Sequence, residues 1–92
     1  MLLSRDEIEK SISHYGWEWV DNTITKSFSF DSYMQSISFI NSIAEISERM
    51  NHHSDLHISY RKVHISISSH DLGGVSTKCI NLAMQINQIN VI

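Results

Sequence analysis

Proline is absent from this 92-residue chain, cysteine occurs once and glycine three times. With no proline to break helices, element boundaries must be read from glycine, asparagine, aspartate and serine. A single cysteine, Cys79, excludes an intrachain disulfide framework and fits a reducing compartment. Charge is sparse as well: 18% of residues are charged, against roughly 25% in an average soluble domain. So few charges beside 41% hydrophobic residues argue against disorder. Basic excess is lacking, because 7 Lys+Arg against 10 Asp+Glu leave −3 at pH 7. Nucleic acid and anionic membrane surfaces, which select basic patches, are therefore poor partners. No apolar run approaches the ~20 residues that span a bilayer. The opening MLLSRDEIEK turns acidic without an apolar signal core. The expectation is one cytoplasmic domain over 1–92, since this length cannot enclose a second core.

Histidine is what the chain has in excess: six, mostly between positions 52 and 70. Imidazole, with a pKa near 6.5, is the side chain that takes and gives protons near neutrality.

Ser4 and Glu7 form a capping box before Ile8, Ile12 and Tyr15, which predicts a helix over 5–14 that Gly16 ends. From Trp17 to Phe30 the period is two, interrupted by the turn signal Asp21-Asn22, which predicts a hairpin. Asp31 is the expected N-cap of a long helix with Tyr33, Met34, Ile37, Ile40, Ile43, Ala44 and Met50 on its apolar stripe. Asn51-His52-His53-Ser54-Asp55 ends it. A short strand is expected at 57–60. A clearer one follows, where Val63, Ile65 and Ile67 alternate with His64, Ser66 and Ser68. Asp71-Leu72-Gly73-Gly74 reads as a loop, and Ser76 caps a last helix carrying Ile80, Ala83, Ile86 and Ile89. The order α-β-β-α-β-β-α predicts an α+β fold, with a four-stranded antiparallel sheet and the helices on one face. A sheet this small leaves edge strands unpaired, and pairing into a homodimer or homotetramer is one physical answer.

The chemistry-bearing segment runs Glu48-Arg49-Met50-Asn51-His52-His53-Ser54, then Tyr60, then Ser69-His70 before Gly74. Two imidazoles at a helix C-terminus and a third after a strand supply an acid and a base near pH 7, if packing gathers them. The partial negative charge of a helix C-terminus is expected to raise a histidine pKa.

This spacing of Glu48, His52, His53, Tyr60, Ser69, His70 and Gly74 resembles the pterin-4a-carbinolamine dehydratase family. Gly16-Trp17, Phe28-x-Phe30-Asp31 and Ile80-Asn81-Leu82-Ala83 extend the resemblance over about residues 15–90. It implies loss of water from a 4a-hydroxytetrahydropterin, giving the quinonoid dihydropterin. An acid protonates the departing 4a-hydroxyl and a base takes the N5 proton, with no metal and no cofactor. By resemblance His52, His53 and His70 are the catalytic candidates: His52 and His70 as acid or base, without assignment of which is which, and His53 to orient or polarise the pterin. Glu48, Asn51, Ser68 and Ser69 are the substrate-binding candidates, Glu48 also biasing a histidine's protonation by its charge and the two serines presenting backbone groups to the pterin ring. Trp17 is a candidate border of the cleft.

The chain departs from the family pattern at Ser54 (commonly proline), Asn51 (often aspartate) and Cys79 (often aspartate). The last change removes the acid of a Ser-x-x-Asp cap, which is expected to weaken the final helix by ~0.5–1 kcal/mol. Should that position instead touch a histidine, the site itself is altered. His14, His57 and His64 are expected to be structural or at the surface. A metal site is disfavoured, because adjacent helical residues point ~100° apart. The alternative function is a catalytically weak member of the fold serving as an oligomeric interaction or assembly module.

Overall fold

The computed structural model describes residues 2–90. The Ser4 hydroxyl accepts from the Glu7 amide (3.2 Å) and the Glu7 carboxylate accepts from the Ser4 amide (2.9 Å), which starts α1 at Arg5–Ile12. A 3-10 turn over Ser13–Tyr15 follows, and Gly16, at φ 85°, turns the chain in the left-handed region. Ile8 and Ile12 are buried, whereas Tyr15 is exposed because the tighter turn rotates it off the stripe.

Strands β1 (Glu18–Val20) and β2 (Thr23–Ser29) form the expected hairpin, with Asp21 and Asn22 at φ 48° and 64° in its two-residue turn. Helix α2 occupies Tyr33–Met50. Its N-cap is Ser32, whose hydroxyl accepts from the Gln35 amide at 3.1 Å; Asp31 lies one residue outside. Strand β3 covers Asp55–Ser59, beginning before and ending before the expected 57–60. It turns at Tyr60 into β4, Lys62–Ile67. Ser76 then stands at the N-cap of α3, Thr77–Asn87.

The sheet order is β1-β2-β4-β3, antiparallel throughout. Two hairpins are thus welded through the central β2–β4 ladder, which pairs Ile24 with Ile67 and Phe28 with Val63. Alternation puts Ile24, Val63, Ile65 and Ile67 on the side the helices cover, all fully buried, and Thr25, Ser27, His64 and Ser66 on the other. The expected α+β architecture, with helices on one sheet face, is the observed one.

The stripe of α2 that reaches the sheet is Ser36, Phe39, Ile43, Ile46 and Ser47. Tyr33 (49% exposed), Met34 (71%) and Ala44 face away, contrary to the expected stripe. The helix carries apolar residues on more than one side, and the sheet selects the side that offers Phe39. Its ring lies 4.8 Å from Phe28 and 4.9 Å from Phe30, centroid to centroid. Small serines at 36 and 47 let the helix approach closely. The Ser36 hydroxyl also donates to the carbonyls of Tyr33 (2.7 Å) and Tyr60 (3.2 Å), tying helix to hairpin.

Trp17 is buried and its indole N–H donates to Asn87 Oδ1 at 3.0 Å. The same oxygen accepts from Lys26 Nζ at 3.0 Å, which fixes the end of α3 to β2. Phe39→Ala empties the centre of the helix–sheet contact, and we expect a loss of about 3–5 kcal/mol in urea unfolding. A loss below 1 kcal/mol would place the core elsewhere.

Candidate functional site

Asn51 ends α2 at φ 51°, a left-handed conformation that asparagine tolerates. Its amide donates to the Glu48 carbonyl (3.2 Å), and the His52 amide reaches back to the Ser47 carbonyl (3.0 Å). This paired closure carries the chain under the end of α2 and directs His52 toward the start of α3.

On the facing side, β4 runs out into Ser69. Its amide donates to the Gly74 carbonyl (2.7 Å), and its own carbonyl accepts from Leu72 (3.0 Å) and Gly73 (2.8 Å). The loop thus folds back at once, returning the chain through Val75 to the N-cap Ser76. The Ser69 and Ser76 hydroxyls meet at 2.6 Å, both residues buried. The end of α2, the end of β4 and the start of α3 therefore converge.

Between them lies a hollow of about 460 Å³, lined by Asn51, His52, Ser69, Asp71, Leu72, Ser76, Thr77 and Lys78. Of the residues singled out in the sequence, Asn51, His52 and Ser69 line it. Ser68 is half-buried at its edge in sequence but does not line it. Ser69 contributes its position and hydroxyl rather than free backbone, since its amide and carbonyl are both engaged within the loop. His53 and His70 are exposed and outside the lining, although their charges reach His52. The ring of His53 is hydrogen-bonded through Nε2 to the Glu48 carboxylate, on the outer surface of the same helix end. Tyr60 lies at the far end of α2, sixteen residues or about 24 Å of helix from the histidines. Trp17 borders a separate, smaller hollow with Glu9, Ile12, Ser13, Glu18 and Trp19, not this one.

Sequence reasoning gives Asp71 and Leu72 only as part of a loop and misses Thr77 and Lys78. The available signal was the short path from Ser69 to the Ser76 cap, which forces the first turn of α3 back beside the strand end. Cys79 was read mainly as a structural residue. It is fully buried, its Sγ accepts from the Ser76 amide at 3.5 Å, and it sits 3.3 Å from His52 Nε2. The thiol thus retains part of the cap that a carboxylate would make, and it touches the histidine.

The expected upward pull on a histidine at the end of α2 is reversed at His52. Burial pushes its pKa below the ordinary 6.5, and the Lys78 ammonium adds to the effect. Asp71 opposes it, while His53 and His70 reinforce it. Loss of water around the half-buried ring disfavours the imidazolium and outweighs the pull expected of the helix end. Among the described residues, no group of three or more His, Cys, Asp or Glu side chains is arranged to hold a metal ion. No helix among them is long and apolar enough to cross a membrane.

A pKa lowered in the folded state means the unfolded chain binds the extra proton first. Stability carried by neutral His52 is complete above about pH 6.5 and falls as pH drops below that value toward the folded pKa. Wild type should therefore lose more Tm than His52→Asn between about pH 7 and pH 5.5. Parallel Tm curves would show that His52 titrates as a free imidazole.

The sequence matches the family model described as pterin 4 alpha carbinolamine dehydratase over residues 1–89. A protein of Roseiflexus castenholzii is 39% identical over 89 residues, covering 96% of each chain. One from Sulfolobus acidocaldarius is 36% identical over 90 residues, 97% of this chain and 99% of the other. Both carry the name "Putative pterin-4-alpha-carbinolamine dehydratase". Among solved structures, a transcriptional coactivator/pterin dehydratase from Brucella melitensis superposes with TM-score 0.90 at 27% identity, covering 95% of this chain and 96% of that one. A pterin dehydratase-like protein identified as a RuBisCO assembly factor in the alpha-carboxysome shares the fold at TM-score 0.67 and 22% identity, over 80% and 88% of the two chains.

Proposed function

This chain belongs to the pterin 4 alpha carbinolamine dehydratase family, and we propose that it is a working lyase, removing water from a 4a-hydroxytetrahydropterin to give the quinonoid dihydropterin. The observation that carries this reading is His52: an imidazole kept neutral by burial, lining a hollow of about 460 Å³. That volume falls within the ~300–1,000 Å³ usual for small-molecule sites.

The reaction moves two protons and one oxygen. The N5 proton leaves to a base, electrons from that bond form the C4a–N5 double bond, and the 4a-hydroxyl departs as water after gaining a proton from an acid. A neutral imidazole is ready to be the base, so His52 takes that role. The acid is one of the two exposed imidazoles whose charges reach it, His53 or His70. Glu48 orients His53 through its Nε2 hydrogen bond. Asp71, Asn51 and Thr77 offer acceptors and donors to the polar edge of the pterin, while Leu72 gives the ring an apolar contact. Ser69 shapes the floor. No step calls for a metal or a redox centre.

We place the protein in the cytoplasm on the strength of its single buried thiol. We also propose that it self-associates through a sheet edge. β1 and β3 are the outer strands, and Ile58 on β3 is 43% exposed. A second reading, a module for assembly with other proteins, draws support from the exposed Tyr33 and Met34 on α2.

Stopped-flow absorbance of quinonoid dihydropterin formation decides between them. We expect catalysis above background, with His52→Ala lowering kcat by about 10²–10⁴-fold and the acidic limb of the kcat profile lying below the ordinary imidazole range. His53→Ala or His70→Ala at the wild-type rate would remove that residue from the chemistry. A wild-type rate equal to background would favour the assembly reading. Sedimentation equilibrium should return a multiple of 10.6 kDa, and a monomer would overturn the edge-pairing proposal.

A further inference from the structure

Behind three residues that line the hollow lies a buried side chain that the reaction above does not use. Cys79, fully buried in the first turn of α3, places its Sγ 3.3 Å from His52 Nε2, 3.5 Å from Ser69 Oγ and 3.6 Å from Ser76 Oγ. The Ser76 amide donates to the same sulfur across 3.5 Å. We propose that Cys79 is a positioning residue for His52: its sulfur accepts the Nε2–H, and so leaves Nδ1 as the nitrogen that receives and returns the proton.

The argument is one of donors and lone pairs. A thiol has one hydrogen to give and two lone pairs to share. The Ser76 amide can only donate and occupies one lone pair. If Nε2–H occupies the other, the S–H turns to Ser69 Oγ, whose own hydrogen passes to Ser76 Oγ at 2.6 Å. The thiol and the Ser69 hydroxyl are then fully used, and the Ser76 O–H is left to the hollow that Ser76 lines. The opposite arrangement, S–H donating to Nε2, suits only the neutral ring. Once His52 is protonated both nitrogens become donors, and the thiol would have to turn its hydrogen away inside a packed core. A partner that accepts serves both protonation states without rearrangement.

Charge explains why a thiol differs from a carboxylate at this position. His52 is faced by Lys78 from α3, by Asp71 from the loop, and by His53 and His70; only Asp71 favours the imidazolium. A neutral thiol holds the ring without adding to that side. An aspartate would add a negative charge at hydrogen-bonding distance and raise the pKa of the base.

The inference rests on the reading of His52 as base, and its test does not need turnover. Nitrogen-15 NMR of the His52 ring is followed with pH in wild type, Cys79→Ser, Cys79→Ala and Cys79→Asp, beside kcat, KM and Tm. Wild type and Cys79→Ser should show the neutral ring protonated on Nε2. Cys79→Ala should lose that preference and lower kcat roughly tenfold, a fraction of what acid–base catalysis supplies, at unchanged KM. Cys79→Asp should move the His52 midpoint and the acidic limb of kcat upward by about one pH unit or more. A residue that only caps α3 would gain Tm from aspartate and leave that midpoint in place. A neutral wild-type ring protonated on Nδ1, or a midpoint common to all four proteins, overturns the proposal. Absence of dehydration in wild type would overturn the reaction, while the NMR result still decides the positioning role.

Discussion

The pairing of β2 with β4 is the constraint on which the remainder of this fold depends. Each hairpin forms from neighbouring residues, but only this central ladder makes them one sheet with one apolar face. Its register puts Ile24 opposite Ile67 and Phe28 opposite Val63. A slip by one residue would send Ile24 and Phe28 to the solvent side and bring Thr25 and Ser27 under the helices. The same ladder fixes where β4 ends, and so where Ser69 meets Ser76 beneath the close of α2. Site geometry is thus inherited from sheet register.

At that meeting point two electrostatic influences compete for one imidazole. The C-terminus of α2 offers negative partial charge, while burial, Lys78 and the neighbouring His53 and His70 oppose protonation. Burial decides the outcome, and the left-handed turn at Asn51 is where the chain leaves α2 to bring His52 there. A residue that the family pattern often makes acidic is here uncharged, which removes a further pull toward the imidazolium. Burial, more than position at a helix end, sets the protonation of His52.

Much of this was legible in the residues alone. The Ser4–Glu7 capping box, the Asp21-Asn22 turn and the alternation of β4 are local patterns, and each appears where its chemistry requires. The α2 stripe was harder. A helix with apolar residues on several sides does not announce which side meets a sheet, so Tyr33, Met34 and Ala44 stood in for Phe39 and Ile46. Asp31 and Ser32 are both good caps, and the choice fell to the neighbour whose hydroxyl reaches Gln35. At the site, Asn51, His52 and Ser69 stand out by residue type and spacing. Asp71, Lys78 and the contact of Cys79 with His52 depend on three separated segments meeting, which no local pattern encodes.

The two serines buried in the face of α2 carry a cost that stability arithmetic would tempt an engineer to remove. Ser36 and Ser47 occupy places where larger aliphatic groups would bury more surface. Yet Ser47 sits in the turn whose carbonyl holds the His52 backbone, so crowding there acts on the end of the helix. Overfilling a packed face displaces its neighbours, and here the displaced neighbours include the end of α2 that carries Asn51 and His52. Thermostabilisation by added volume would thus work against the geometry that shapes the candidate site.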